Sequence, residues 1–146
     1  MNWFECKISY EKVMDDGLPK KVTEIYLVDA VSFAEAEARI IEETRPFITG
    51  EFTVTGIKRA RISELFLDEN GDLYYEVKIN FITLNEKTGK EKKTPAYMLV
   101  QASTIDEAKT QLETGMKGTL SDYVVESIKE TKIMDIFLHE KPQEAF

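Results

Sequence analysis

Phe4, Cys6, Ile8 and Tyr10 alternate with Trp3, Glu5, Lys7 and Ser9. A period of two is the mark of a half-buried strand. Tyr75, Val77, Ile79 and Phe81 alternate in the same way with Tyr74, Glu76, Lys78 and Asn80. Each run leads into a polar turn, Met14 to Pro19 and Asn85 to Gly89, containing Asp-Gly and Thr-Gly pairs that favour reversal of the chain. The following strands are apolar on both sides (Ile25 to Val28; Tyr97 to Val100), which predicts central strands with both faces covered. Ser32-Phe33-Ala34-Glu35 and Thr104-Ile105-Asp106-Glu107 read as capping boxes that open helices. Phe33, Ala36 and Ile40 share one helical face, as do Ile105, Ala108 and Leu112. Pro46 is expected to stop the first helix and Gly115 the second. Phe52 and Val54 then alternate before the apolar phase jumps to Ile57, and Tyr123, Val125 and Ile128 repeat the jump. A bulge or a bend fits both. Further strands are expected from about Ile62 to Leu67 and from Ile133 to Leu138, and Asn70-Gly71 predicts a hairpin between the first of these and the strand that begins near Leu73.

The two series of elements are one unit written twice. Residues 3–10, 26–40 and 52–69 align with residues 71 or 72 positions later and give 15 identities in 41 pairs, where chance gives about two or three. The repeats span about 2–69 and 73–140, with 141–146 as a tail. No linker-like composition separates them. The expectation is therefore one merged α+β domain over residues 1–140: an internally duplicated β-β-α-β-β unit whose antiparallel sheet carries two helices in pseudo-twofold arrangement.

Composition narrows the chemistry. The 146 residues are 42% hydrophobic, enough for a core, and carry a net charge of −8. Unaided attraction to nucleic acid or to an anionic membrane is not the default for such a chain. No apolar run approaches the roughly 18 residues of a membrane span, and a cytoplasmic location is expected. One cysteine, Cys6, and one histidine, His139, rule out a disulfide framework and Cys/His zinc cages. Gly-x-Gly-x-x-Gly, Walker and His-Glu-x-x-His motifs do not occur.

The opening Asn2-Trp3-Phe4-Glu5-Cys6-Lys7, with the stretch from Tyr26 to Ala38, resembles a domain-of-unknown-function family of Bacteroidetes and their phages. The resemblance implies a bacterial or phage origin and transfers no activity and no catalytic residue.

The residues offer four chemistries. Cys6 sits on the apolar face of its strand, opposite in the repeat to Val77, which reads as a buried structural thiol and not a nucleophile. The acidic turns Asp15-Asp16-Gly17 and Asp68 to Asp72 lack a calcium-loop pattern and read as turns. Glu5 and Glu76 are equivalent, so a pseudo-twofold brings two carboxylates together for acid/base work, whereas their neighbours Lys7 and Lys78 suggest an ion-pair ladder on a solvated face. Cations beside aromatics on a sheet face suit single-stranded nucleic acid: Trp3, Lys7, Tyr74 and Lys78, with Lys20, Lys21, Lys58, Arg59, Arg61, Lys92, Lys93, Lys129 and Lys132 around them. Taken together, the chain reads as a non-catalytic binding or adaptor protein. It needs no cofactor, metal or membrane, and takes a protein partner or a second copy of itself. Trp3, Glu5, Lys7, Tyr74, Glu76 and Lys78 are the candidate ligand-binding residues. Single-stranded nucleic-acid binding is the alternative, and an enzyme built on Glu5, Glu76 or His139 comes third.

Overall fold

The computed structural model describes residues 2–138. The tail beyond residue 140 and His139 lie outside the described residues. The chain divides into two compact units. One runs to Ala60 and resumes at Ile133, and the other is Arg61–Lys132. The α+β class and the duplicated element order hold, with the β structure shared between two four-stranded sheets and one helix for each.

In the first unit β1 (Asn2–Val13) pairs antiparallel with β2 (Pro19–Ala30) and with β3 (Phe52–Ala60), and α1 (Phe33–Thr44) lies between β2 and β3 in sequence. The hairpin closes through Gly17, whose positive φ of 80° suits glycine. α1 begins where the Ser32 hydroxyl accepts the Glu35 backbone N–H at 3.1 Å. It ends before Pro46, where Arg45–Phe47 form a 3₁₀ turn. The core is the alternating face of β1 (Phe4, Cys6, Ile8) against Val28, Ala36 and Ile40, all fully buried.

The second unit repeats this with β5 (Leu73–Leu84), β6 (Glu91–Ala102), α2 (Ile105–Gly115) and β7 (Asp122–Glu130). Thr104 caps α2 by accepting the Glu107 N–H at 3.1 Å. Val77, Ile79, Val100, Ala108 and Leu112 build the core. Both bulges occur where the phase jump places them: register shifts between Lys7 and Ile8 opposite β3, leaving Thr55 as the extra residue, and between Lys78 and Ile79 opposite β7, leaving Glu126. β2 and β6 are interior strands, and Leu27, Val28, Leu99 and Val100 are all buried, so both faces of each strand are covered.

The last strand of each repeat is exchanged. β4 (Glu64–Phe66) joins the second sheet, parallel to β6, and β8 (Ile133–Phe137) joins the first, parallel to β2. The sheet orders are β3-β1-β2-β8 and β4-β6-β5-β7. The Asn70-Gly71 hairpin expectation is corrected by this arrangement, since β4 and β5 are not neighbours and β6 lies between them. The turn instead crosses the end of β6. Gln101 holds it there, accepting the Asp68 N–H at 3.1 Å and donating to the Gly71 carbonyl at 2.9 Å. Gly71 is glycine because a Cβ would stand 2.6 Å from the Ala102 backbone.

Candidate functional site

The six candidate ligand-binding residues fall into two matching sets, one in each unit. In the first, Glu5 lies opposite Lys58 on the neighbouring strand, with Oε2 and Nζ 3.8 Å apart. In the second, Glu76 lies opposite Lys129, 3.5 Å apart. Each carboxylate thus faces a lysine of its own sheet across the strand pair, as in an ion-pair ladder. Lys78 is 3.4 Å from Glu126, and Asn80 donates to the same carboxylate. The Asn80 hydrogen bond first and Lys78 second hold Glu126 below the usual carboxylate range. Lys7 is exposed, and the residue in the place of Glu126 is Thr55, whose hydroxyl lies 3.4 Å from the Lys7 carbonyl.

Tyr74 corrects the reading of an exposed stacking platform. Its residue is only 6% exposed, and its carbonyl accepts both the N–H and the hydroxyl of Thr131 at 2.8 Å. Trp3 is half-buried. The basic residues also part company, because neighbours on a strand point to opposite faces. Lys58 faces Glu5, while the Arg59 guanidinium lies 5.4 Å from the ring centres of both Phe4 and Phe33 on the helix side. Lys20 and Lys21 lie opposite Lys12 and Glu11, and Lys92 and Lys93 opposite Thr83 and Ile82. Arg61 precedes β4 and Lys132 follows β7, outside the strands.

Cys6 is fully buried. Burial first and the Glu5 charge second push its thiol up to about 11, so it is protonated at neutral pH and a poor nucleophile. The acidic turns use their carboxylates locally: Asp16 accepts the Leu18 N–H at 2.9 Å, and Asp68 accepts from Asn70 and from the Gln111 amide. Among the described residues no group of three or more His, Cys, Asp or Glu is arranged to hold a metal ion.

Sequence reasoning overlooked a surface along the outer edge of β3. An open groove of about 480 Å³ runs between β3 and the start of α1, lined by Phe33, Ala34, Glu37, Val54, Gly56 and Ile57. A second of about 400 Å³ continues past Ile41 and Arg45 beside Phe52 to Val54. The first groove is wide because its walls are small. Ala34, Thr55 and Gly56 stand where the second repeat has Asp106, Glu126 and Ser127. Nothing lies within 4 Å of a Cβ placed on Gly56. Phe33, at the first turn of α1, is 47% exposed although its ring meets Phe4 edge-on at 4.9 Å. The available signal was the divergence between repeats at these positions, which an alignment made to find identities passes over.

A family model described as Domain of unknown function (DUF4494) matches residues 2–139. The chain belongs to that family. The match takes in both repeats, so the family is defined on the duplicated unit and not on a single copy. No curated protein and no solved structure matches the chain. No helix among the described residues is long and apolar enough to cross a membrane.

Proposed function

We propose that this DUF4494 chain is a non-catalytic binding or adaptor protein, of bacterial or phage origin and cytoplasmic setting, that takes up an extended segment of a partner protein along the edge of β3. The observation that carries the reading is the groove between β3 and α1. β3 is an edge strand, so among the described residues one row of its backbone N–H and C=O groups has no strand beside it. An added strand would take its affinity from those groups and its specificity from side chains entering the adjoining groove. The lining combines apolar Phe33, Val54 and Ile57 with the carboxylate of Glu37, which suits a segment carrying an apolar side chain beside a cation. The contrast with the second repeat supports the same reading. There the equivalent small residues are replaced by larger or charged ones beside β7, which is an edge strand as β3 is, so the two edges differ in the side chains that flank them.

The test is selection of displayed random peptides on the immobilised full chain, followed by fluorescence anisotropy with the enriched peptide. Ala34→Trp fills the groove from an exposed helix position and is expected to weaken binding at least about tenfold, the loss of one anchored side chain. Lys78→Ala, in the other unit, is expected to leave it unchanged. Failure to enrich any peptide, or equal affinity for the Ala34→Trp chain, overturns the reading.

Nucleic acid is the second reading, kept for exposed Lys7 and half-buried Trp3 on one face of β1. Saturable quenching of Trp3 by short single-stranded DNA or RNA, weakening with salt and abolished by Lys7→Ala, would establish it in place of the first.

A further inference from the structure

The edges of β3 and β7 are equivalent in the repeat, but their flanking side chains are opposite in sense. Glu37, which lines the groove beside Val54 to Ile57, stands where the second repeat has Lys109, an exposed residue of α2. Arg59, whose guanidinium lies 5.4 Å from the Phe33 ring centre, stands where the second repeat has Glu130. Size is opposed as well. Ala34, Thr55 and Gly56 leave the β3 side hollow, and Asp106, Glu126 and Ser127 put bulk on the β7 side. β7 also presents apolar side chains that nothing in the chain covers fully: Val124 and Val125 are 43% and 41% exposed. Like β3, β7 has no strand along its outer edge among the described residues.

We propose that the partner of the β3 edge is a second copy of this chain, which adds its β7 edge there, antiparallel, to make one sheet that runs on between copies. This rests on the reading of β3 as a recognition edge and names the occupant. A half-turn about the sheet normal sets β7 of the second copy against β3, with α1 and the second copy's α2 on one face. The register that keeps the two repeats equivalent about that axis places Val54 opposite Ile128 and Ile57 opposite Val125. The exposed valine then enters the apolar part of the groove lining, and Glu37 faces Lys109 of the second copy across the junction. That central pair selects the partner. Two β3 edges joined by the same half-turn would set Glu37 against Glu37, and two β7 edges would set Lys109 against Lys109. Only the mixed pair brings opposite charges together. The contact is therefore heterologous: each end of an assembled pair keeps one free edge, and copies add head to tail.

Two full-length chains with one cysteine each test it, both in a background of Cys6→Val, the residue the second repeat has at that position. One carries Thr55→Cys on β3 and the other Ser127→Cys on β7. Both positions are exposed, and they lie opposite each other in the proposed register, where an antiparallel pair is within disulfide reach. The chains are mixed in equal amounts in a glutathione redox buffer and read by non-reducing electrophoresis and mass spectrometry of the linked peptides. The mixed disulfide is expected to exceed either symmetric one about fivefold or more. Glu37→Lys in the Thr55→Cys chain should remove that excess, and Lys109→Glu added to the Ser127→Cys chain should restore it. Light scattering on the unsubstituted chain should give a mass above 16.8 kDa that rises with concentration. Symmetric disulfides in equal or greater amount, no cross-link, or an unchanged monomer mass at the cross-linking concentration each overturns the proposal. If peptide selection still yields a segment whose binding Ala34→Trp weakens, the β3 edge stands as a recognition site and only its assignment to a second copy falls. If selection fails as well, both fall.

Discussion

Gly71→Ala isolates a steric contact that no propensity scale would foresee. Gly71 has no left-handed backbone angle, so alanine carries no conformational penalty there. On unfolded-state entropy alone the substitution would stabilise the chain by about 0.4–1 kcal/mol. The structure gives the opposite sign. The new Cβ would stand 2.6 Å from both Cα and N of Ala102 and 2.9 Å from its carbonyl carbon, against an ordinary carbon contact of about 3.5–4.0 Å. The obstructing atoms are the backbone of an interior strand, so the turn must move instead. Moving it strains the Gly71 N–H to Asp68 carbonyl bond of 2.8 Å and the Gln101 amide to Gly71 carbonyl bond of 2.9 Å. Each is worth about 0.5–1.5 kcal/mol net. Loss or weakening of both predicts destabilisation of about 1–3 kcal/mol, confined to the second unit. Urea unfolding followed by far-ultraviolet circular dichroism measures it, with Gly56→Ala as the control, since a Cβ there meets nothing within 4 Å. If Gly71→Ala matches or exceeds the unsubstituted chain in stability, the close approach of the turn to β6 is refuted.

Other substitutions follow from single contacts. Ser32→Ala and Thr104→Ala each remove a cap hydrogen bond of 3.1 Å and should cost about 1 kcal/mol each in chemical unfolding, additively because the two lie in different units. Lys129→Ala breaks the Glu76 pair at an exposed site, and a change above about 1 kcal/mol would contradict the description of that face as solvated. Because the folded-state pKa of Cys6 is raised, the stability tied to its protonated thiol is complete below about 9 and is lost as pH rises towards about 11. Cys6→Val should flatten that part of the stability–pH curve. In the native chain at neutral pH the Cys6 thiol should react with a chromogenic disulfide far more slowly than in denaturant, and equal rates would contradict its burial.

The elements were legible because local chemistry and tertiary demand agree in them. Alternation in β1 and β5 marks the core face. Apolar runs in β2 and β6 mark the interior strands, and Ser32 and Thr104 fix the helix starts to the residue. The phase jumps gave both bulges, since an inserted residue shifts every later side chain to the other face. Pairing partners were not legible. Asn-Gly is a hairpin signal for two strands that touch, but here the chain had already moved to the far side of β6, and the glycine serves a close crossing over Ala102 instead. The candidate site was read from residue type, which identifies Glu5 and Glu76 as charged but not that Lys58 and Lys129 stand opposite them. Tyr74 was misplaced for a related reason. On an alternating strand the polar phase is taken as solvated, whereas Tyr74 is buried in that phase.

The exchange of β4 and β8 bears on why the family match covers both repeats. A single repeat has its first three strands and helix but lacks the parallel strand beside its interior strand, because its own last strand is committed to the other sheet. In the first unit that omission would leave the edge of β2 unpaired and remove Phe137 from the ring of Tyr26. In the second it would open the space between Gly115 and β6 that Phe66 fills. An open edge and an unfilled aromatic site are aggregation liabilities as well as losses of stability. The duplicated chain is thus the smallest version of this sequence in which each slot is filled without help from another molecule. The divergence between its halves at Ala34, Thr55 and Gly56 is what such an arrangement permits: one copy can change its surface while both keep the strand each owes to the other.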